Sequence, residues 1–309
     1  MLSRVADNLY WFGRYLQRAE NTARLINVNA TLLLDLPKNV TFGWEQLVQI
    51  VGADDLYREH YTDYTESNVL RFLMHDERYS GSIITSLQRA REILRTVRDT
   101  MPAEVWEKLN DLHYFVQGRG EMVTSRTRRQ EFLQRVIEGC VLVYGTLTTN
   151  MSRDVGFQFL KIGTNIEQAD MTTRILDVRS TSLIETGPKQ DLAPFYNIQW
   201  MSVLRSLTAY QMYRRHVRAR VNRTGVLRFL LQNREFPRSV MFCMGAIGGC
   251  LPHLPQNRGV ERAIWRVRAL AQDANVDRLV ERGLSEFIDE IQIGFGEVHA
   301  AFAQAYFRV

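Results

Sequence analysis

The strongest constraint on this chain is that it repeats itself. The segment from Trp11 to Arg24 realigns on the segment from Lys161 to Arg174, with Gly13 on Gly163, Ala19 on Ala169, Thr22 on Thr172 and Arg24 on Arg174, while Glu20 is answered by Asp170. Val69-Leu70-Arg71-Phe72-Leu73 recurs letter for letter as Val226-Leu227-Arg228-Phe229-Leu230, and Ser82 is matched by Ser239. Between these blocks Trp44 answers Trp200, and Tyr57-Arg58-x-His60 answers Tyr213-Arg214-x-His216. The spacing drifts slightly: 150 residues separate Arg24 from Arg174, 156 separate Trp44 from Trp200 and 157 separate Val69 from Val226, as expected if one loop is longer in the second copy. A repeat of this length constrains architecture before any single motif does, though it names no reaction.

The periodicity inside the repeat is helical. Leu2, Val5, Leu9, Phe12, Leu16, Ala19, Ala23, Ile26, Ala30 and Leu33 alternate at spacings of three and four, the seam of a helix that packs at a shallow angle on its neighbours. Val155, Phe159, Ile162, Ile166, Ala169, Leu176 and Leu183 keep the seam less strictly, and Ile83, Leu87, Ala90, Leu94, Val97 and Met101 form another. Pro102 marks the start of a further helix, Pro237-Arg238-Ser239 the start of the counterpart of the Ser82 helix, and Pro37-Lys38 and Pro188-Lys189 two breaks after helices. A last long helix is predicted from about Val276 to Tyr306. Alternating β-branched residues with turn dipeptides are missing. The predicted fold is all-α, a duplicated helical bundle of five or six helices per half, with the halves related by an internal pseudo-twofold axis. The expected division is 1–125 and 126–309 within one unit, the boundary lying in the 118–129 loop region with its basic Arg119, Arg126, Arg128 and Arg129.

Composition excludes several classes. With 45% hydrophobic and 24% charged residues and only 7 Pro, the chain reads as an ordinary soluble globular protein. Arg4, Asp7 and Arg14 interrupt any N-terminal secretory core, and the apolar run from Val240 to Leu251 is too short to span a bilayer. Cys140, Cys243 and Cys250 lack metal-like spacing and read as reduced thiols of a cytoplasmic protein. There is no GxxxxGK[ST] loop, GxSxG elbow or HExxH pair, and the six histidines are dispersed, so neither cofactor nor metal is expected. Gly245, Gly248 and Gly249 follow no strand and read as close helix packing.

The candidate site comes from the repeat. Glu20 lies four residues before Arg24, and Asp170 four before Arg174, the favourable order for an ion pair within a helix. One reading is a pair of helix-stabilising surface pairs. The other brings the two copies together across the pseudo-twofold axis as a four-residue cluster of Arg and carboxylate, able to hold a carboxylate or phosphate ligand or to fix register. The opposite flank carries Asn8, Trp11, Tyr15 and Arg18, which read as a helix contact or as the wall of a ligand cleft. The second copy has Lys161, Asn165 and Gln168 there, so a site on that flank is expected in the first half alone.

Charge is uneven as well. From Leu192 to Arg234 there is no acid, while Arg205, Arg214, Arg215, Arg218, Arg220, Arg223, Arg228 and Arg234 are basic; the equivalent part of the first half carries Asp54, Asp55, Glu59, Asp63, Glu66, Asp76 and Glu77. Three readings stand: complementary surfaces paired within the chain or in a homodimer, a phosphate-binding stripe for RNA, or a solvated face. The net charge of +5 argues against a dedicated nucleic-acid binder.

Met1-Leu2-Ser3-Arg4-x-Ala6-Asp7-Asn8-Leu9-Tyr10-Trp11-x-Gly13-Arg14-Tyr15-Leu16, with Arg18-Ala19-Glu20-Asn21 and Arg24, resembles the opening signature of the bacterial alpha-E proteins, an all-helical family named for a Glu-Arg motif. Ala90-Arg91-Glu92 with Arg95 and Arg98, Glu104-Val105-Trp106-Glu107, Ala169-Asp170-Met171-Thr172 and Phe236-Pro237-Arg238-Ser239 extend the resemblance along the chain. The Glu-Arg dipeptide stands here as Gln17-Arg18 and Glu167-Gln168, and Ile93 replaces an expected Asn. The resemblance implies partners, since such proteins are encoded beside or fused to circularly permuted ATP-grasp ligases and transglutaminase-like proteases. It also implies a role in making or removing peptide or amide-linked modifications, with the ligase supplying the ATP chemistry. On this basis Glu20, Arg24, Asp170 and Arg174 are the expected ligand or partner site, supported by Arg14, Arg18, Trp11 and Arg91. An enzyme with Glu20 or Asp170 as general base is the alternative, and an RNA-associated module using the 205–234 arginines the third reading.

Overall fold

A computed structural model of the chain describes residues 2–35, 43–119, 126–181 and 193–307. Its helices are α1 (Ser3–Asp35), α2 (Glu45–Ile50), α3 (Asp54–His60), α4 (Glu66–His75), α5 (Ile83–Thr96), α6 (Ala103–Gln117), α7 (Arg126–Asn150), α8 (Val155–Thr181), α9 (Ala193–Ser206), α10 (Tyr210–Val217), α11 (Arg223–Gln232), α12 (Val240–Gly248), α13 (Arg258–Asp273), α14 (Val276–Glu281) and α15 (Leu284–Phe302). No strand occurs among the described residues, in agreement with the all-α expectation.

Local chemistry starts these helices where the sequence indicates. Ser82 and Ser239 are extended N-caps whose side chains accept from the Thr85 and Phe242 amides, and Thr65 and Asn222 do the same for Asn68 and Gly225. α6 begins directly after Pro102. The turn after α2 runs through Gly52 at φ 66, with the Ala53 amide reaching back to the Val48 carbonyl; after α9, Thr208 takes φ 54 and the Ala209 amide reaches the Leu204 carbonyl.

The central pair is α1 and α8, which cross at two glycines. A Cβ on Gly13 would run into the Leu160 carbonyl oxygen, and one on Gly163 into that of Tyr10, so only glycine lets the backbones meet. α5 and α7 flank α1, with α6 packed on both; α12 and α15 flank α8, with α13 packed on both. α2 docks on α8, and α9 docks on α1. The α1 seam is buried from Leu9 through Phe12, Leu16, Ala19 and Ala23 to Ile26, whereas Leu2 is exposed. Phe159, Ile162, Ile166, Ala169 and Leu176 are buried on α8, and Ile83, Leu87, Ala90 and Leu94 on α5.

Three expectations are corrected. The helix expected from Val276 to Tyr306 is two helices, because Arg282 is extended and Gly283 adopts φ 77 between α14 and α15. Arg126, Arg128 and Arg129 belong to the first turn of α7 rather than to a loop, and Arg129 is buried against Glu66 at 2.6 Å. The glycines of α12 do not mark a close helix contact: a Cβ on Gly245 would meet nothing within 4 Å. The breaks expected at Pro37-Lys38 and Pro188-Lys189, the seam residue Leu183 and the division at 125 lie outside the described residues.

Candidate functional site

The α1–α8 crossing carries most of the buried charge. Glu167 projects from α8 toward α1 and is met by two guanidiniums: Arg14 Nε donates to Oε2 at 2.8 Å, Arg18 Nε to Oε1 at 2.5 Å and Arg18 Nη2 to Oε2 at 2.9 Å. The carboxylate is only 3% exposed. Burial alone would push its pKa up, but Arg18 and Arg14 outweigh burial and hold it at about 2. Arg14 also reaches the Tyr10 hydroxyl, which is paired with His299 Nδ1 at 2.9 Å. Burial lifts the Tyr10 phenol to about 12, while burial and then Arg14 lower the pKa of His299.

Across the crossing an uncharged bond takes the same place, Gln168 Nε2 donating to Gln17 Oε1 at 3.0 Å. Gln17 in turn donates to Asn21 and Glu20. Glu20 Oε1 accepts from Arg24 Nε at 2.7 Å and from Arg238 Nη2 at 2.8 Å, and Arg238 Nη1 donates to Asn21 at 2.7 Å. Arg238 comes from the turn before α12 and is buried, which lowers its pKa despite Glu20.

Asp170 and Arg174 pair at 2.8 Å with the guanidinium 32% exposed. Gly52 makes room for Arg174, since a Cβ there would lie 2.5 Å from Nη1. Tyr79, raised to about 12 mainly by burial, feels Arg18, Arg174, Glu167 and Asp170 together, so this pair adjoins the Glu167 set.

The expected ring of Glu20, Arg24, Asp170 and Arg174 is therefore not what forms. Each acid is held by the Arg one turn on, and no ion pair joins the two pairs among the described residues. Arg14 and Arg18 do come to the crossing, but their acid is Glu167. Trp11 lies against Tyr15 at 5.5 Å, the Arg14 guanidinium at 5.0 Å and His299 at 5.6 Å, as a contact with the C-terminal helix. Arg91 has its partners on α5 and α6: Asn110 at 2.6 Å, Glu92 at 3.0 Å, and the Trp106 and Tyr114 rings. Sequence reasoning missed Glu167 and Arg238 as site members. The signal for Glu167 was present in the split Glu-Arg dipeptide; that for Arg238 was its place in the Phe236-Pro237-Arg238-Ser239 block of the resemblance, which says nothing of its partner.

The three cysteines are free and buried, and burial pushes Cys243 to about 12 and Cys250 to about 11, so none is a poised thiolate. No group of three or more His, Cys, Asp or Glu disposed to hold a metal occurs among the described residues. No described helix is long and apolar enough to cross a membrane. No ion pair joins the first-half acids to the 205–234 arginines among the described residues; Arg228 pairs instead with Asp277 at 3.1 Å. A cleft of about 790 Å³ between α13, α14 and α15 lies away from the crossing, with Arg266, Arg278 and Arg282 mixed with Asp273 and Glu286.

These features define an all-helical protein whose two central helices are locked at a glycine crossing by buried carboxylate–guanidinium bonds. The chain belongs to the Alpha-E family, described as a predicted alpha-helical domain with a conserved ER motif, which matches residues 1–307. Arg18 and Glu167, from the two dipeptides where the resemblance places the Glu-Arg motif, face each other as an ion pair. An uncharacterized protein of Mycobacterium bovis and two of Mycobacterium tuberculosis are each 23% identical over 277 residues, covering 84% of this chain and 30% of the relative. The chain thus spans about 30% of the length of the curated relatives it matches. No solved structure matches it.

Proposed function

We propose that this protein is the helical binding component of an ATP-grasp amide-ligase system. It works in the cytoplasm with a circularly permuted ATP-grasp ligase, a transglutaminase-like protease or both, and it holds a carboxylate-bearing ligand or partner. Arg24 and Arg174, with Glu20 and Asp170 orienting them, are the residues of that contact, and Arg14, Arg18, Trp11 and Arg91 support it. The observation that carries this reading is the engagement of the acids. Glu20 Oε1 already accepts from two guanidiniums and Asp170 from one, so these groups orient cations for binding and are poorly placed to abstract a proton. That weighs against the alternative with Glu20 or Asp170 as general base. The length of the relatives, in which a chain like this fills about 30%, fits a domain that acts beside others.

We read the architecture as two copies about a pseudo-twofold axis through the α1–α8 crossing. Support comes from the matched turns at Gly52 and Thr208, the matched caps, the reciprocal glycine contacts and the parallel packing of α5 and α7 on α1, bridged by α6, and of α12 and α15 on α8, bridged by α13. On that reading α7 joins the first copy, and the division moves from 125/126 to the turn between α7 and α8.

The test is a native pull-down of the tagged full chain from its host, asking whether an ATP-grasp ligase co-purifies. Arg24→Ala and Arg174→Ala are expected to lose it with unchanged helicity by circular dichroism. Absence of the ligase from the wild-type eluate overturns the association. If both variants unfold, the pairs serve the fold alone.

One observation favours the RNA-associated reading: Arg214, Arg218 and Arg220 gather with Tyr210 around a groove of about 480 Å³ with no acid in its lining among the described residues. RNA affinity falling steeply with salt supports it, and a flat response removes it.

A further inference from the structure

A second cleft, of about 490 Å³, opens where α8, α12 and α13 meet. Its charged lining among the described residues is Lys161, Arg234 and Arg268, with no acid. Lys161 and Arg268 are half-buried, and neither side chain has a hydrogen-bond or ion-pair partner among the described residues; Arg234 makes one bond, to the Gln272 amide oxygen at 2.8 Å. This contrasts with Arg14 and Arg18 at the α1–α8 crossing and with the buried Arg129 and Arg238, which are all paired with carboxylates. Holding two cations partly out of water without a counter-charge is costly unless an anion arrives to meet them. The floor is Gly245, above which there is open space, and Met241 and Phe242 form an apolar wall.

The cleft does not end at α12. Gly245 and Arg268 also border an adjoining groove of about 610 Å³, lined by Arg258, Arg262 and Trp265, with Glu261 the one acid among the described residues. Trp265 is 69% exposed. Arg258, Arg262, Trp265 and Arg268 recur at i, i+4, i+7 and i+10, along one face of α13 and over about 15 Å of its length. Cations laid out in a line beside an apolar wall and an open indole suit an extended chain carrying several carboxylates. A compact phosphate would call for the same charges gathered around one point.

We propose that this groove binds an acidic peptide, whose carboxylates are taken by Lys161, Arg234 and Arg268 in the cleft and by Arg258 and Arg262 along α13, with Trp265 against its backbone. The site lies on the second-copy flank, Lys161, Asn165 and Gln168, where the sequence alone gave no reason to look. Through Gln168, bonded to Gln17, it abuts the network around Glu20. The inference uses none of the Glu20, Arg24, Asp170 or Arg174 contacts and stands whether or not a ligase is the partner.

The experiment is fluorescence anisotropy of fluorescein-labelled hexaglutamate against the full chain at low salt. Saturable binding is expected. Lys161→Met with Arg268→Met should weaken it by about ten-fold or more, since each removes a charge-assisted bond. Arg126→Gln with Arg128→Gln removes equal charge from an exposed helix start elsewhere and should change it by less than about two-fold. Circular dichroism checks that both double variants remain folded. The proposal is overturned if hexaglutamate does not bind, if both double variants weaken it equally, or if pyrophosphate binds in its place.

Discussion

Glu167 couples the ionisation of one carboxyl to the docking of two helices. Its pKa is about 2 in the fold against an ordinary 4.5. A carboxyl depressed by folding contributes stability that is complete above about pH 4.5 and is lost as pH falls toward 2. The span corresponds to roughly 3 kcal/mol. Denaturant titrations at a series of pH values should therefore show the wild type losing more stability across that window than Glu167→Gln. Asp76, also held at about 2 against burial by Arg78, contributes in the same window to both proteins and cancels in the comparison. Parallel curves would mean that Glu167 is not tied to the fold in this way. Arg238 and Arg174 make a second contrast. Arg238→Met strips buried Glu20 and Asn21 of a donor and should cost about 3 kcal/mol, whereas Arg174→Ala, at a third-exposed pair, should cost under about 1 kcal/mol. Thermal melts of the two variants decide it. The i, i+4 pairs were legible in the sequence because helical periodicity places them together. Arg238 with Glu20 spans 218 residues and Arg14 with Glu167 spans 153, and no local pattern encodes either.

Among the elements, α1 and α8 are set by what glycine omits. Gly163→Ala places a methyl group on the Tyr10 carbonyl, a backbone atom that cannot swing away, and should destabilise by about 2 kcal/mol or more. Gly145→Ala, inside α7 with open space around it, should instead stabilise by up to about 1 kcal/mol through helix propensity. Melting temperatures moving in the same direction would contradict the crossing geometry. The helix seams, the caps at Ser82 and Ser239 and the start of α6 after Pro102 were readable because each depends on residues within one or two turns. The break at Gly283 was not, since a glycine in an apolar helical pattern is compatible with either a helix or a left-handed turn. Nor was the open face of α12, because a run of small residues looks the same whether a helix or a cleft lies over it.

For the whole molecule, the decisive feature is that α1 finds its neighbours on both sides of any division of the chain. Residues 1–150 alone would expose the α1 surface that α8 and α9 cover. That fragment is expected to self-associate or to lack a cooperative melt, and size-exclusion chromatography with light scattering reads the result directly. A monomeric fragment with a sharp transition would establish the first half as an independent domain.

The helical class, the buried seams and the family could be read without coordinates, because these rest on spacing along the chain and on local hydrogen-bond chemistry. Tertiary structure alone decided which acid meets which guanidinium, where a glycine is a contact and where it is a floor, and which cations go unpaired. Those outcomes depend on side chains brought together from helices far apart in the chain, where burial and Coulomb attraction act on distance in space and not on distance in sequence.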